Sequence, residues 1–180
     1  MTAHAKDNGG DALDVLGQDH QAVRKLFLQY ARFKPGALNG DGKIAVIQKL
    51  CRALAVHAQI EEELFYPALR EAGETDRVPV ETGAEHATIR RLAEELRNAK
   101  PGDELADAKM KVLADYVQQH VDEEEAELFS EARAAGFDLR ALGAQLNARK
   151  AELAAIEADL ADPRDGRSLP PRAEAAAAQA

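Results

Sequence analysis

Residues 57–61 read HAQIE and residues 120–124 read HVDEE, so the spacing His-x-x-x-Glu occurs twice in this chain. Each copy follows an acid–histidine pair, DH at 19–20 in the first half and EH at 85–86 in the second. The same four residue positions therefore recur in the same order in two halves. A pair of imidazoles and a carboxylate in each half predicts that these groups act together at a metal site.

The repeat extends beyond the histidines and glutamates. DHQAVRKL at 19–26 matches EHATIRRL at 85–92, and a glycine stands three residues before the first histidine of each half, at Gly17 and Gly83. We expect these two glycines to let neighbouring helices approach closely. Most other positions differ between the halves, which makes the retained His and Glu more informative.

The composition indicates an all-α protein. The chain has 180 residues, enough for one domain with appendages, and it is 46% hydrophobic but only 4% aromatic, with no Trp. Apolar residues recur at helical spacing, and Gly and Pro stand mostly at a few junctions. The predicted helices cover 11–33, 42–72, 78–99 and 103–135. Four helices with short connections predict an up-down-up-down bundle over residues 11–136.

Pro67 lies inside the second predicted helix, where it cannot donate to a carbonyl one turn earlier. We expect it to kink or loosen the last turns of that helix.

The ends of the chain differ from the bundle. Residues 1–10 are polar and read as a flexible leader, and residues 161–180 read as a disordered tail. Between them, residues 137–160 predict an additional amphipathic helix that begins after Asp138. This helix either lies against the bundle or, as an alternative, pairs two copies of the chain in a homodimer through 138–160.

Charge and hydropathy exclude several classes. The net charge of −9 lacks the basic excess of a nucleic-acid binder, and no stretch approaches the ~20 apolar residues of a membrane span. The N-terminus has no apolar run of signal-peptide length. The single cysteine, Cys51, excludes an internal disulfide framework and reads as a small buried residue. We therefore expect a cytoplasmic protein without nucleic-acid or membrane partners.

The spacing predicts how the ligands meet. Residues four apart on a helix point the same way, so the second and fourth helices each offer an imidazole and a carboxylate. The first and third helices each add one imidazole. The predicted ligands are His20, His57, Glu61, His86, His120 and Glu124. Apolar residues three positions from the four histidines should form a dry collar around them: Val23, Ile60, Ile89 and Val117.

Six ligands of this kind exceed the needs of one tetrahedral ion and fit two ions bridged by Glu61 and Glu124, together with an oxide or hydroxide. Two non-haem iron ions are the favoured pair, with manganese or zinc less favoured. Glu125 competes with Glu124 as the ligand of the second half. Tyr116, Arg24, Arg90 and Glu125 are candidates for residues that contact the ligands from outside.

These motifs, with EELFYP at 62–67 and AELF at 126–129, make residues 11–136 resemble the hemerythrin-like family of HHE cation-binding domains. The resemblance implies a four-helix bundle around a non-haem di-iron centre. Oxygen-carrying members typically have a further histidine four residues after the third-helix histidine, and here that position is Arg90, which cannot be a ligand because it stays protonated. This departure makes the chain closer to four-histidine relatives.

The resemblance leaves two functional classes open. In the first, the protein binds or reacts with small oxidants (oxygen, peroxide or nitric oxide) in stress defence or iron handling, with an enzymatic activity on peroxide or nitric oxide undecided. In the second, it is a metal- or redox-state sensor that signals through the C-terminal helix. The first class predicts that the diferrous form autoxidises quickly, since the centre lacks the fifth histidine.

Overall fold

The computed structural model describes residues 10–35, 41–73, 78–99, 103 and 105–160, and these contain helices and no strand. The α-helices are α1 (Ala12–Tyr30), α2 (Asp41–Ile60), α3 (Tyr66–Glu71), α4 (Val78–Arg97), α5 (Ala106–Glu123), α6 (Phe129–Ala134) and α7 (Leu139–Leu160). Two π-helical turns, Glu61–Phe65 and Glu124–Leu128, join α2 to α3 and α5 to α6. The four rods of the bundle are thus α1, α2–α3, α4 and α5–α6, which confirms the predicted four-helix bundle with one additional helix.

Local sequence explains where the rods begin and end. Asp11 accepts hydrogen bonds from the backbone of Leu13 and Asp14, and the Asp14 carboxylate accepts one from the Asp11 backbone, which makes a capping box for α1. The α2–α3 and α5–α6 rods are each followed by a glycine in the left-handed region, Gly73 at φ 81° and Gly136 at φ 73°. Glycine adopts this conformation without steric cost, so both rods stop at matching positions.

The π turns occupy the same place in both halves, and the first loosens the helix just before Pro67, as expected. Each turn begins at the glutamate of a His-x-x-x-Glu motif, and the backbone N–H of Tyr66 and of Phe129 donates to the carbonyl five residues earlier. The second turn forms without any proline, so a proline is not required for such a turn. Pro67 sits in the first turn of α3, where a missing N–H is tolerated.

The core is divided into two apolar clusters. One cluster includes Val23, Leu50 and Leu113, and the other includes Leu16, Phe65 and Leu146. The buried histidines and glutamates belong to neither cluster. Each cluster contains residues of α1, the α2–α3 rod and the α5–α6 rod, so both help to fix the three rods relative to one another.

The additional helix lies against the bundle. α7 packs on α1, α2 and the first π turn, and it buries Leu142, Leu146 and Leu153. Ile156 is 52% exposed. The leucines that would pair two copies are therefore used within the chain, and the homodimer through 138–160 stays a prediction.

Residues 1–9 of the expected leader and the expected tail at 161–180 lie outside the described residues. Among the helices that the structure does describe, none is both long enough and apolar enough to cross a bilayer.

Gly143 provides a test of how α7 docks. A Cβ built at Gly143 would lie 2.7–2.8 Å from backbone atoms of residues 10–12 at the start of α1. We expect Gly143→Ala to destabilise the protein by about 1–3 kcal/mol, because overpacking against backbone outweighs the gain in helix propensity of about 1 kcal/mol. Equilibrium urea unfolding, followed by circular dichroism, measures this change.

Gly17 is the matched control, and it corrects a further expectation. A Cβ built at Gly17 or at Gly83 meets nothing within 4 Å, so neither glycine serves a close helix approach. Gly17→Ala should therefore stabilise the protein by about 0.5–1 kcal/mol. A Gly143→Ala variant as stable as Gly17→Ala would contradict the close contact between α7 and α1.

Candidate metal centre

The four bundle histidines meet in two pairs, and all four are buried. Nε2 of His20 lies 3.1 Å from Nε2 of His57, and Nε2 of His86 lies 3.3 Å from Nε2 of His120. Each pair joins one histidine of α1 or α4 with one of α2 or α5. The imidazole lone pairs therefore converge on two neighbouring points inside the bundle.

Glu61 lies between the two pairs. Its Oε1 is 2.9 Å from Nε2 of His57, and its Oε2 is 3.3 Å from Nε2 of His86. Glu124 adds a second carboxylate, with Oε2 3.1 Å from Nε2 of His20. The possible ligand atoms thus form one group of four, from His20, His57, Glu61 and Glu124, and one group of three, from Glu61, His86 and His120.

This arrangement differs in one respect from the expected pair of bridging glutamates. Only Glu61 belongs to both groups, whereas Glu124 belongs to the first group alone. The two carboxylates are therefore not equivalent, although they stand at matching positions of the sequence repeat.

The buried polar atoms fit a bound cation. In the described structure, Oε1 of Glu124 is buried without a hydrogen-bond partner, and Oε2 of Glu124 and Oε1 of Glu61 lie close to inner histidine nitrogens without hydrogen-bond geometry. Such atoms are costly inside a protein unless they are paired or coordinate a metal. Imidazole nitrogens and carboxylate oxygens, without a thiolate, suit iron, manganese or zinc. The residues present therefore fit a two-ion site.

The pKa values show how strongly these groups interact. Burial alone lowers the pKa of His57, but the Glu61 carboxylate raises it to about 10. Burial and the charge of Glu61 raise the pKa of Glu124 to about 7. Although burial opposes it, the neighbouring His57 and His86 hold the pKa of Glu61 well below its usual range. Metal binding requires neutral imidazoles and ionised carboxylates, so it releases protons from this cluster.

Each histidine presents its other nitrogen, Nδ1, to a carboxylate outside the cluster. The Nδ1-to-oxygen distances are 2.8 Å for His20 to Glu125, 2.9 Å for His86 to Glu62, 3.0 Å for His120 to Glu85 and 3.7 Å for His57 to Asp19. The first three are hydrogen bonds, and the fourth is too long to be one. Outer carboxylates of this kind orient metal-binding imidazoles and fix their tautomers.

This pattern separates Glu124 from Glu125. The Glu124 side chain is 1% exposed and lies among the inner nitrogens, whereas Glu125 is 36% exposed and accepts from Nδ1 of His20. Glu124 is thus the inner carboxylate of the second half, and Glu125 is an outer one.

The arginines named from the sequence lie beside these outer carboxylates. Arg24 is 3.4 Å from Glu125, and Arg90 pairs with Glu62. Arg90 is 40% exposed, and its guanidinium contacts Glu62 rather than the inner nitrogens. Arg90 therefore adds no fourth metal ligand to the group of Glu61, His86 and His120.

Tyr116 is not at the site, which corrects the expectation for this residue. Its side chain is 44% exposed on the outside of α5. The tyrosine at the site is Tyr66, whose Oη is 3.4 Å from Oε2 of Glu61 and whose ring lies 5.8 Å from that of His86. Burial and the nearby glutamates raise the pKa of Tyr66 well above its usual value, so its hydroxyl keeps its proton.

The second half of the sequence repeat also places an aromatic residue beside the site. Phe129 stands where Tyr66 stands in the repeat, and its ring is stacked on His20 at 5.9 Å. Both residues stand five positions after an inner glutamate, and this spacing is the sequence signal that could have found them. In the structure, this position directly follows a π turn. The two halves differ here, since only the first offers a hydroxyl.

A small cavity of about 10 Å³ lies against the four histidines. Its apolar walls include Val23, Ile89 and Val117, three members of the expected collar, and Ile60 is buried nearby in the other core cluster. A space of this size holds about one water molecule. The four histidines therefore have a small apolar cavity on one side.

Comparisons with known proteins agree with this geometry. The model of the hemerythrin HHE cation binding domain matches residues 11–132. A DNA nickase of Nostoc sp. (strain PCC 7120) is 32% identical over 122 residues, which are 67% of this chain and 33% of that protein. The chain thus spans about a third of the length of this curated relative.

A solved structure shows the same fold. The crystal structure of a hemerythrin HHE cation binding domain-containing protein from Mycobacterium kansasii superposes with a TM-score of 0.71 at 21% identity, covering 85% of this chain and 94% of that one. The family match covers most of the chain, and the buried His and Glu cluster fits a cation. This chain belongs to the hemerythrin HHE cation-binding domain family and is a metal-binding hemerythrin-like protein.

Proposed function

We propose that this protein holds two non-haem iron ions and reacts with small oxidants, with peroxide or nitric oxide favoured over the storage of oxygen. The observation that carries this proposal is the unequal division of protein ligands into a group of four and a group of three. A metal held by the group of three has more positions open to an added ligand. When bound, iron supplies the redox chemistry for such a reaction.

The cavity and the Tyr66 hydroxyl support the same proposal. The cavity of about 10 Å³ against the histidines favours small reactants over large substrates. Tyr66 keeps a proton on Oη, 3.4 Å from Oε2 of Glu61. The chain thus provides a hydroxyl proton donor beside the metal ligands.

A metal- or redox-state sensor is the second candidate. It is favoured by one contact, the ion pair between Lys150 of α7 and Asp19, which faces Nδ1 of His57. In this alternative, α7 conveys the state of the centre to a partner.

Nuclease activity is not part of the proposal. The nickase shares only a third of its length with this chain, and the net charge of −9 disfavours binding to a phosphate backbone. A cytoplasmic location without nucleic-acid or membrane partners stays an expectation.

Reconstitution of the full-length protein with Fe²⁺ under anaerobic conditions tests the proposal. We expect two iron ions per chain, and their complete loss when His57 and His120 are both changed to Ala, because each nitrogen pair then loses one member. Matched changes of the exposed Gln48 and Gln119 on the same helices should leave iron content unchanged. Iron content and optical absorption are measured after desalting.

The reduced protein is then titrated with oxygen, peroxide and nitric oxide. We expect rapid oxidation by oxygen and saturable reactions with peroxide or nitric oxide. Iron content unaffected by the double change would refute the site, and an oxygen adduct that is reversible and lasts for hours in air would refute the proposed reactivity.

A further inference from the structure

Three of the four site histidines are backed by an outer carboxylate that is itself paired with a cation. The chains of contact are His20–Glu125–Arg24, His86–Glu62–Arg90 and His57–Asp19–Lys150. The first two are related by the sequence repeat, because Arg24 matches Arg90 and Glu125 matches Glu62. The third is different, since its cation comes from α7, outside the repeat.

Lys150 reaches a carboxylate that faces the metal ligands. Its Nζ pairs with Oδ1 of Asp19, and the other oxygen, Oδ2, lies 3.7 Å from Nδ1 of His57. Both Oδ2 and Nδ1 are buried and have no hydrogen-bond partner in the described structure. A movement of less than about 1 Å would make this a hydrogen bond. The position of Asp19 therefore determines whether Nδ1 of His57 is hydrogen-bonded to a carboxylate, as Nδ1 is in the other three site histidines.

We infer that Lys150 is a positioning residue of the metal centre, which holds Asp19 against His57 and couples the docking of α7 to metal binding by His20, His57, Glu61 and Glu124. This inference rests on the proposed two-metal site. α7 packs on α1, α2 and the first π turn, so the connection reaches the group of four and not the pair His86 and His120. Because coupling free energies are reciprocal, bound metal must also strengthen the docking of α7.

An ordinary exposed ion pair would not have this effect. α7 makes such a pair as well, between Arg149 and Glu63, at 2.7 Å. Glu63 is exposed and is not one of the carboxylates that face a histidine. Arg149 and Lys150 are equally exposed, at 29% each, and both attach α7 to the bundle. A comparison of variants at these two residues therefore separates an effect on the docking of α7 from an effect on the metal centre.

The test is an anaerobic calorimetric titration of the metal-free, full-length protein with Fe²⁺. We expect Lys150→Met to weaken one of the two binding steps by about tenfold or more, the loss typical of a residue that supports a metal ligand. Arg149→Gln, the matched control, should leave both steps within about threefold of the unaltered protein. Lys150→Arg should restore most of the affinity, since it keeps the cation.

A double-mutant comparison tests the route through Asp19. Asp19→Asn should weaken the same step, and Lys150→Met should cause no further loss in the Asp19→Asn background. Equal effects of Lys150→Met and Arg149→Gln, or additive effects of Lys150→Met and Asp19→Asn, would overturn the inference.

Hydrogen exchange gives a readout that does not depend on reactivity. Bound Fe²⁺ should slow the exchange of α7 backbone amides in the unaltered protein and in Arg149→Gln, and should do so less in Lys150→Met. Unchanged exchange of α7 on metal binding by the unaltered protein would contradict the coupling. If the unaltered protein bound no Fe²⁺, the proposed function would fail together with the inference. If it bound two ions with no response to Lys150→Met, only the inference would fail.

Discussion

Changing Glu61 to Gln is expected to remove the ion of the group of three, whereas changing Glu124 to Gln is expected to leave that ion in place. Glu61 is the carboxylate common to both groups, with one oxygen 2.9 Å from Nε2 of His57 and the other 3.3 Å from Nε2 of His86. After Glu61→Gln, the group of three keeps no carboxylate to offset a buried dication, whereas the group of four keeps Glu124. Glu124 contributes only to the group of four, so its loss leaves the group of three intact.

The measurement is metal content per chain after reconstitution with Fe²⁺ and desalting, together with the melting temperature with and without metal. Glu63→Gln and Glu127→Gln are matched controls, because both residues are exposed. Glu63 lies in the same π turn as Glu61, and Glu127 lies in the same π turn as Glu124. Both should retain two ions. Two ions in Glu61→Gln, or none in Glu124→Gln, would show that the carboxylates are not divided as the structure places them.

The second large effect is expected at the other end of the bundle, where Lys43 is buried. Its side chain is 1% exposed, and Nζ donates to Oδ1 of Asp107 at 2.7 Å and to the carbonyl of Lys34 at 3.3 Å. Tyr30 also donates to Oδ1 of Asp107, and the Lys43 ammonium lies 4.9 Å from the centre of the Tyr30 ring. This cluster joins the end of α1 to the beginnings of α2 and α5.

We expect Asp107→Ala to lower the free energy of unfolding by about 3 kcal/mol, because it leaves a buried ammonium without its counter-charge. Lys43→Met should cost less, since Asp107 is 32% exposed and keeps the Tyr30 hydroxyl as a donor, and an apolar side chain of similar length fills the space of Lys43. Urea unfolding of the metal-free protein measures both, with the exposed Lys49→Met as a control. A cost for Lys43→Met as large as that for Asp107→Ala would mean that the cation itself stabilises the fold.

Much of the fold and of the inner ligand set could be predicted from local sequence. Helical periodicity, with breaks at glycine and proline, predicted the four rods and the additional helix. The four-residue spacing placed His57 with Glu61 and His120 with Glu124 on the same helix faces, and the structure buries all four side chains. These inferences succeed because which residues share a face of one helix depends on the helix geometry alone.

The π turns could not be predicted in this way. A periodicity of 3.6 residues per turn was assumed throughout, and one wider turn rotates everything that follows it. This rotation helps to explain why Tyr66, which follows the first π turn, lies at the centre although it had the weaker claim from the sequence. Tyr116 precedes the second π turn and lies on an exposed face of α5.

What the sequence by itself determined is therefore the set of helices and the His and Glu residues that can face one another. Only the tertiary structure decided that Glu61 is shared while Glu124 is not, that Glu125 is an outer partner of His20, and that Lys150 contacts Asp19 across 131 residues of chain. These contacts depend on the rotation and axial shift of one helix against another. Packing of the whole core sets those two quantities, and no local spacing encodes them.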